Sequence, residues 1–190
     1  MIISESDIIE LIEQDEWMLE VLVEVKTLSL PDWWICAGFV RSKVWDRLHG
    51  YKVRTLLPDV DVIYYDDTID SEEVDKRIEG ILIEKIPGIP WSVKNQARMH
   101  IQNQIPPYIS AVDAISKFPE TATALGVKLD ARNQLVLAAP HGVEDLVKLH
   151  VTPTLYFIAS KENLKIYKER MEKKKWTQYW PMLSLDTIKP

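Results

Sequence analysis

Asp59-Val60-Asp61 opens an apolar stretch that continues through Val62, Ile63, Tyr64 and Tyr65. In an extended strand, residues two apart face the same way, so the two carboxylates project side by side, as needed to hold a hard divalent cation. Such a pair is a signature of metal-dependent phosphoryl transfer, with Asp59 and Asp61 as the metal ligands. The plainer alternative is a Pro58-Asp59 turn followed by an edge-strand charge at Asp61. Upstream, Ala37-Gly38-Phe39-Val40-Arg41 joins the apolar run Trp33 to Ala37 to a helical pattern from Arg41 to Leu48. A glycine at a strand-to-helix turn lets backbone amides approach an anion, and the helix N-terminus offers unpaired N–H groups and a favourable dipole to a triphosphate. Arg41 and Lys43 add matching charge there, and Ser42 a neutral hydrogen bond.

Other familiar sites are excluded by spacing. The six glycines, at 38, 50, 80, 88, 126 and 142, never fall two or five apart, so neither G-x-G-x-x-G nor the P-loop is present. There is no G-x-S-x-G elbow. His49, His100, His141 and His150 stand in no metal-ligand pattern and read as structural or surface residues. Cys36, the single cysteine, sits between Ile35 and Ala37 and reads as a small buried hydrophobe.

The elements that must position this chemistry follow from hydrophobic periodicity. Ser4 to Lys26 reads as helix, capped by Ser4 or Ser6 and divided near Gln14-Asp15. Trp33 to Ala37 and Asp59 to Tyr65 read as strands, with a loop from Gly50 to Pro58 between helix and strand. A helix from about Ser71 to Lys85 follows, with Asp70 and Glu73 resembling a capping box. Trp91 to Ile101 alternates apolar and polar residues throughout, which predicts a third strand. Its polar face carries Lys94, Arg98 and His100, and Asn95 is a polar group in its apolar row that needs hydrogen-bond partners. Ser110 to Gly126 predicts one or two short helices with Gly126 as a C-cap, Val127 to Asp130 with Gln134 to Ala139 a hairpin, and His141 to Val151 a helix.

At 190 residues the chain is long enough for a substantial core. Its 46% hydrophobic and 27% charged residues are ordinary for a globular protein. No apolar run reaches the ~18 residues of a membrane span, and the N-terminal segment lacks the basic region of a signal peptide, so a cytoplasmic location is expected. The net charge of −6 argues against wrapping nucleic acid over the whole surface. Seven basic residues between Lys161 and Lys175 nonetheless face only three acids. A solvated helix face is the commoner meaning of such a run, an RNA phosphate rail the sharper one, and Trp176 and Trp180 beyond it read as packing residues.

At these residues the chain resembles the polymerase-beta-like nucleotidyltransferases, nearest to the head domain of CCA-adding enzymes, through Ala37 to Arg41, Leu48-His49-Gly50 and Asp59 to Val62. Blocks at Trp33 to Asp46, Asp59 to Asp66, Trp91 to His100 and Phe118 to Thr123, with Lys175 to Pro181, resemble a small bacterial family of single-domain nucleotidyltransferase-like proteins. The resemblance implies an α/β (α+β) nucleotidyltransferase fold with a mixed central sheet flanked by helices. Residues 1–155 would form the domain, and 156–190 a basic helix and Trp-rich tail packed on it. It further implies Mg²⁺-dependent transfer of NMP from an NTP to an acceptor, either RNA or a small molecule. Asp59 and Asp61 would be catalytic, Gly38, Arg41 and Ser42 would lie at the triphosphate, and Lys94, Asn95 and Arg98 near nucleotide or acceptor. The chain departs from the CCA-type pattern in having Gly38-Phe39 for paired glycines and Ser42 for an Asp after the Arg. The wider superfamily often takes a third carboxylate from a neighbouring strand, whereas Trp91 to Ile101 contains no acid, leaving Glu120 or Asp113 to assist from elsewhere. A catalytically silent nucleotide-binding or protein-interaction module is the alternative reading.

Overall fold

The computed structural model describes residues 2–103 and 105–186, so Met1 and residues 187–190, the outer ends of the expected 1–155 and 156–190 units, lie outside the described residues. Ser4 accepts the Asp7 N–H while the Asp7 carboxylate accepts the Ser4 N–H, and this reciprocal cap opens α1 (Glu5–Glu13). Asp15 accepts the Met18 N–H and starts α2 (Glu16–Thr27), so the chain divides where Gln14-Asp15 suggested. The apolar run after it forms β1 (Trp34–Cys36), buried throughout, which turns into α3 (Gly38–Leu48). β2 (Val60–Tyr64) and α4 (Glu72–Lys85) follow, the latter capped by Ser71 rather than Asp70.

The third strand is shorter than its alternation predicts. β3 (Trp91–Asn95) stops at Asn95 and the chain continues as α5 (Gln96–Asn103). Asn95 ends the ladder because its side chain is fully buried and committed to turning the backbone. Oδ1 accepts the N–H groups of Asp66 and Ala97, both at 3.1 Å, while Nδ2 donates to the carbonyls of Asp66 at 2.7 Å and Ile69 at 3.0 Å.

The region expected to be helical from Ser110 to Gly126 holds only α6 (Ala111–Ser116); Gly126 opens β4 (Gly126–Leu129), which forms the expected hairpin with β5 (Leu135–Ala138). In place of one helix to Val151 there are α7 (Glu144–Val147) and β6 (His150–Val151), separated by Leu149 at φ 60°. α8 (Leu155–Ile158), the basic α9 (Lys161–Lys174) and α10 (Trp176–Tyr179) complete the helices. Lys175, in the left-handed region at φ 47°, is the joint between the last two. β7 (Ser184–Leu185) then returns to pair in parallel with β6.

The main sheet runs β3-β2-β1-β4-β5, with β2 and β3 parallel and the other pairs antiparallel. This mixed sheet flanked by helices has the architecture expected from the sequence. One face carries Val60, Val62 and Tyr64 into the larger core with α1, α2, α3 and α4; the other carries Trp34, Cys36 and Ile63 against Ala111 and Ile115 of α6. Gly126 lies where that second layer is tightest. A Cβ there would stand 3.0 Å from Cys36 Sγ and from Ile115 Cδ1, and 3.2 Å from Trp34 Cβ. Gly126→Ala is therefore expected to destabilise by about 1–3 kcal/mol, read as a lower denaturation midpoint at unchanged m-value. Among the described residues no helix is long and apolar enough to cross a membrane.

Candidate active site

Two segments that are remote in sequence meet at the start of β2. The turn between β1 and α3 lies against Asp59 and Asp61, and α9 with α10 closes the opposite side, leaving a cleft of about 580 Å³. Its lining includes Gly38, Arg41, Ser42, Asp59 and Asp61 from the first group, and Arg170, Lys173, Lys174, Trp176 and Tyr179 from the second. Five of the residues singled out in the sequence thus come together. Lys94, Asn95 and Arg98 do not reach this cleft. Lys94 stands 3.4 Å from Glu72, Asn95 holds the Asp66–Ile69 turn, and Arg98 is paired with buried Asp75, which also accepts the Tyr64 hydroxyl at 2.7 Å. Of the two outlying acids, Asp113 lies in the first turn of α6, which Ser110 caps, and pairs with Lys117, and Glu120 is paired with Arg170.

The turn itself is strained, though not at the glycine. Ala37 adopts φ 54°, ψ −114°, a conformation L residues rarely take, while Gly38 is already the first helical residue. A methyl at Gly38 would meet only Arg41 Nη2 at 3.5 Å and Leu57 Cδ2 at 3.9 Å, which are ordinary contacts. Packing of the free protein does not demand glycine there. α3 has neither a side-chain cap nor an acidic residue in its first turn, so its N-terminal amides and dipole are presented to the cleft uncompensated.

Arg41, only 6% exposed, is bracketed by aromatic rings, its guanidinium 4.3 Å from the Trp176 centroid and 5.2 Å from that of Trp45. Nη1 donates to Thr123 Oγ1 at 3.1 Å, whereas Nε is buried with no hydrogen-bond partner. Burial lowers its pKa to about 10, with Glu120, Asp59 and Asp61 pulling it back up, so the group stays cationic at neutral pH. The Asp61 carboxyl is pushed up to about 6, first by burial and then by the charge of Asp59; the Ser92 hydroxyl, Lys174 and Arg41 offset part of this. Lys174 is shifted below the ordinary lysine value by burial and by neighbouring Arg170, with Asp59 working against the shift.

Ser92 escaped the sequence reading. The parallel register sets it directly beside Asp61, and the period-two pattern of Trp91 to Asn95 already put it on the polar face with Lys94. Asp46 is a second omission. Its buried carboxylate accepts Thr55 N at 2.8 Å, Thr55 Oγ1 at 2.6 Å and Trp180 Nε1 at 2.8 Å, tying α3 to the loop before β2 and to the C-terminal segment.

Residues 23–185 match a family described as nucleotidyltransferase. The chain belongs to that family. The chain is similar over 96% of both chains, at 32% identity and a TM-score of 0.87, to a protein whose NMR structure reveals a CCA-adding enzyme head domain. A CCA-adding enzyme in complex with CTP gives a TM-score of 0.55 at 13% identity, with 98% of this chain covered but 44% of the other. The Thermotoga maritima CCA-adding enzyme complexed with tRNA gives 0.55 at 14% identity, with 99% and 44% covered. Those two likenesses establish the fold alone, and the chain spans less than half the length of either. No curated protein sequence matches it.

Proposed function

We propose that this domain is a Mg²⁺-dependent nucleotidyltransferase that moves a nucleoside monophosphate from an NTP to an acceptor hydroxyl or phosphate. The observation that carries the reading is the single cleft in which Asp59 and Asp61 face the uncapped N-terminus of α3 and the Arg41 guanidinium. Among the described residues no group of three or more His, Cys, Asp or Glu could hold a metal. Two hard carboxylates fit Mg²⁺ nevertheless, since that ion commonly takes one or two carboxylates and completes its shell with substrate phosphate and water. Bound there, it would neutralise charge on the departing pyrophosphate and lower the pKa of an attacking hydroxyl.

The chain's own groups define the rest. The α3 amides, Arg41 and the Ser42 hydroxyl receive the polyphosphate, and the charge that develops on its oxygens meets donors already oriented in a partly dry cleft. The acceptor oxygen attacks the α-phosphorus, the bond to the bridging oxygen breaks, pyrophosphate leaves and the acceptor proton passes to water. Asp61, whose carboxyl is held at about 6 in the metal-free site, is ionised above that pH and available as a ligand. Gly38→Ala separates this role from packing: NTP binding should weaken about tenfold, the equivalent of one charge-assisted hydrogen bond, with little change in stability. A stability loss alone would make Gly38 a folding residue.

The neutral Ser92 beside Asp61, on a strand that carries no acid, favours a second reading in which nucleotide is bound without turnover. NMR titration with each NTP and Mg²⁺, followed by pyrophosphate release with RNA and small-molecule acceptors, distinguishes the two. Binding with release supports transfer; binding without release from any acceptor supports the silent module. Loss of both overturns the nucleotide site. The acceptor, RNA or a small molecule, and a cytoplasmic location belong to this same proposal.

A further inference from the structure

We infer that the C-terminal half of α9 is the second wall of the polyphosphate site: Arg170, Lys173 and Lys174, together with Arg41, grip the β- and γ-phosphates of the nucleotide, and Glu120 positions Arg170 for it. The inference rests on the nucleotide reading above and extends it to residues contributed by a segment outside the sheet.

Four observations converge on it. Arg170, Lys173 and Lys174 line the same cleft as Gly38 and Arg41; Arg170 and Lys174 are half-buried there and Lys173 stands exposed at its rim. Arg41 Nε is a buried cationic donor with no partner, a group that costs free energy unless an anion completes it. Two of the four cations, Arg41 and Arg170, are held in place before any ligand arrives. Arg170 Nε donates to the fully buried Glu120 at 2.6 Å, and the Trp176 ring lies 5.9 Å from the Arg170 guanidinium and 4.3 Å from that of Arg41. Finally, the four cations outnumber the three acids that act on them, Glu120, Asp59 and Asp61. The surplus charge of this wall suits a tri- or diphosphate better than a monophosphate, and it carries no contact that would choose a base. Lys174 is shifted downward first by burial and then by the neighbouring charge of Arg170, and a bound polyanion would oppose both.

The test uses inorganic tripolyphosphate in EDTA, which has neither a base nor a metal and is read by calorimetry, so it does not depend on turnover. Lys173→Met with Lys174→Met should weaken tripolyphosphate binding about tenfold or more. Lys161→Met with Lys165→Met removes the same charge from the exposed part of α9 and should change binding less than about twofold. Asp59→Asn with Asp61→Asn should tighten metal-free binding by removing facing negative charge. Arg170→Lys keeps the charge but not the fork and tests Glu120: the affinity should fall while the fold is retained. Equal losses in the two lysine pairs, or no binding of tripolyphosphate by the unaltered protein, would overturn the α9 wall. Tripolyphosphate binding that follows this pattern in a protein that never releases pyrophosphate would preserve the wall and remove only the transferase reading.

Discussion

Asp59→Asn with Asp61→Asn is expected to lower nucleotidyl transfer about a thousandfold or more while leaving the protein folded and, at neutral pH, more stable. The two halves of this result have different origins. The activity loss follows from removing the two anionic oxygens that face the helix N-terminus and Arg41. The stability gain follows from Asp61 alone, whose carboxyl is raised from 3.8 to about 6 by burial and by Asp59. Because the folded state holds that proton more tightly than the unfolded chain, ionisation works against folding. The cost is absent below pH 3.8, grows as pH rises towards about 6, and is fully present above that. Asp61→Asn should therefore stabilise by about 3 kcal/mol at pH 7 and by little at pH 3.5. Urea denaturation across that range measures it. A flat difference would discard the electrostatic account, and unchanged turnover in the double variant would discard the metal assignment while leaving the stability argument intact.

Trp45→Ala should produce the largest loss of stability, about 3–5 kcal/mol. Trp45 is fully buried on α3 and meets two rings of the C-terminal segment edge-on, Trp176 at 5.5 Å and Trp180 at 5.1 Å, and its Nε1 donates to the Leu146 carbonyl at 3.3 Å. Truncation opens a cavity beneath α10 and removes one of the two rings around Arg41. Docking of α9 and α10 should loosen before the sheet does, seen as faster amide exchange in residues 161–180 under native conditions. A loss below about 1 kcal/mol would mean that the tail is seated by something else.

The local patterns of this chain were sufficient for much of the fold. Apolar runs marked β1 and β2, the Ser4 cap and the division near Gln14-Asp15 marked α1 and α2, and the hairpin of β4 and β5 followed from alternation around a turn. They misled where a side chain rather than periodicity ended an element. Asn95 turns the backbone through four hydrogen bonds, three of them to Asp66 and Ile69, whose proximity no neighbour in sequence reveals, so the alternating stretch becomes half strand and half helix. Lys94 and Arg98, expected near the nucleotide as members of one polar strand face, went instead to Glu72 and Asp75.

What the sequence by itself determined was the chemistry available in two separate segments: a carboxylate pair on one face of a strand, and a helix start that offers unpaired amides with Arg41 in its first turn. These depend on backbone period and residue type, which are local properties. Only the tertiary structure decided that the basic helix would become the facing wall. A helix shows which residues share a face but not which face is turned inward, and here that choice is made by the Trp176 and Trp180 rings seating on Trp45 and by buried Glu120 drawing Arg170 towards the sheet.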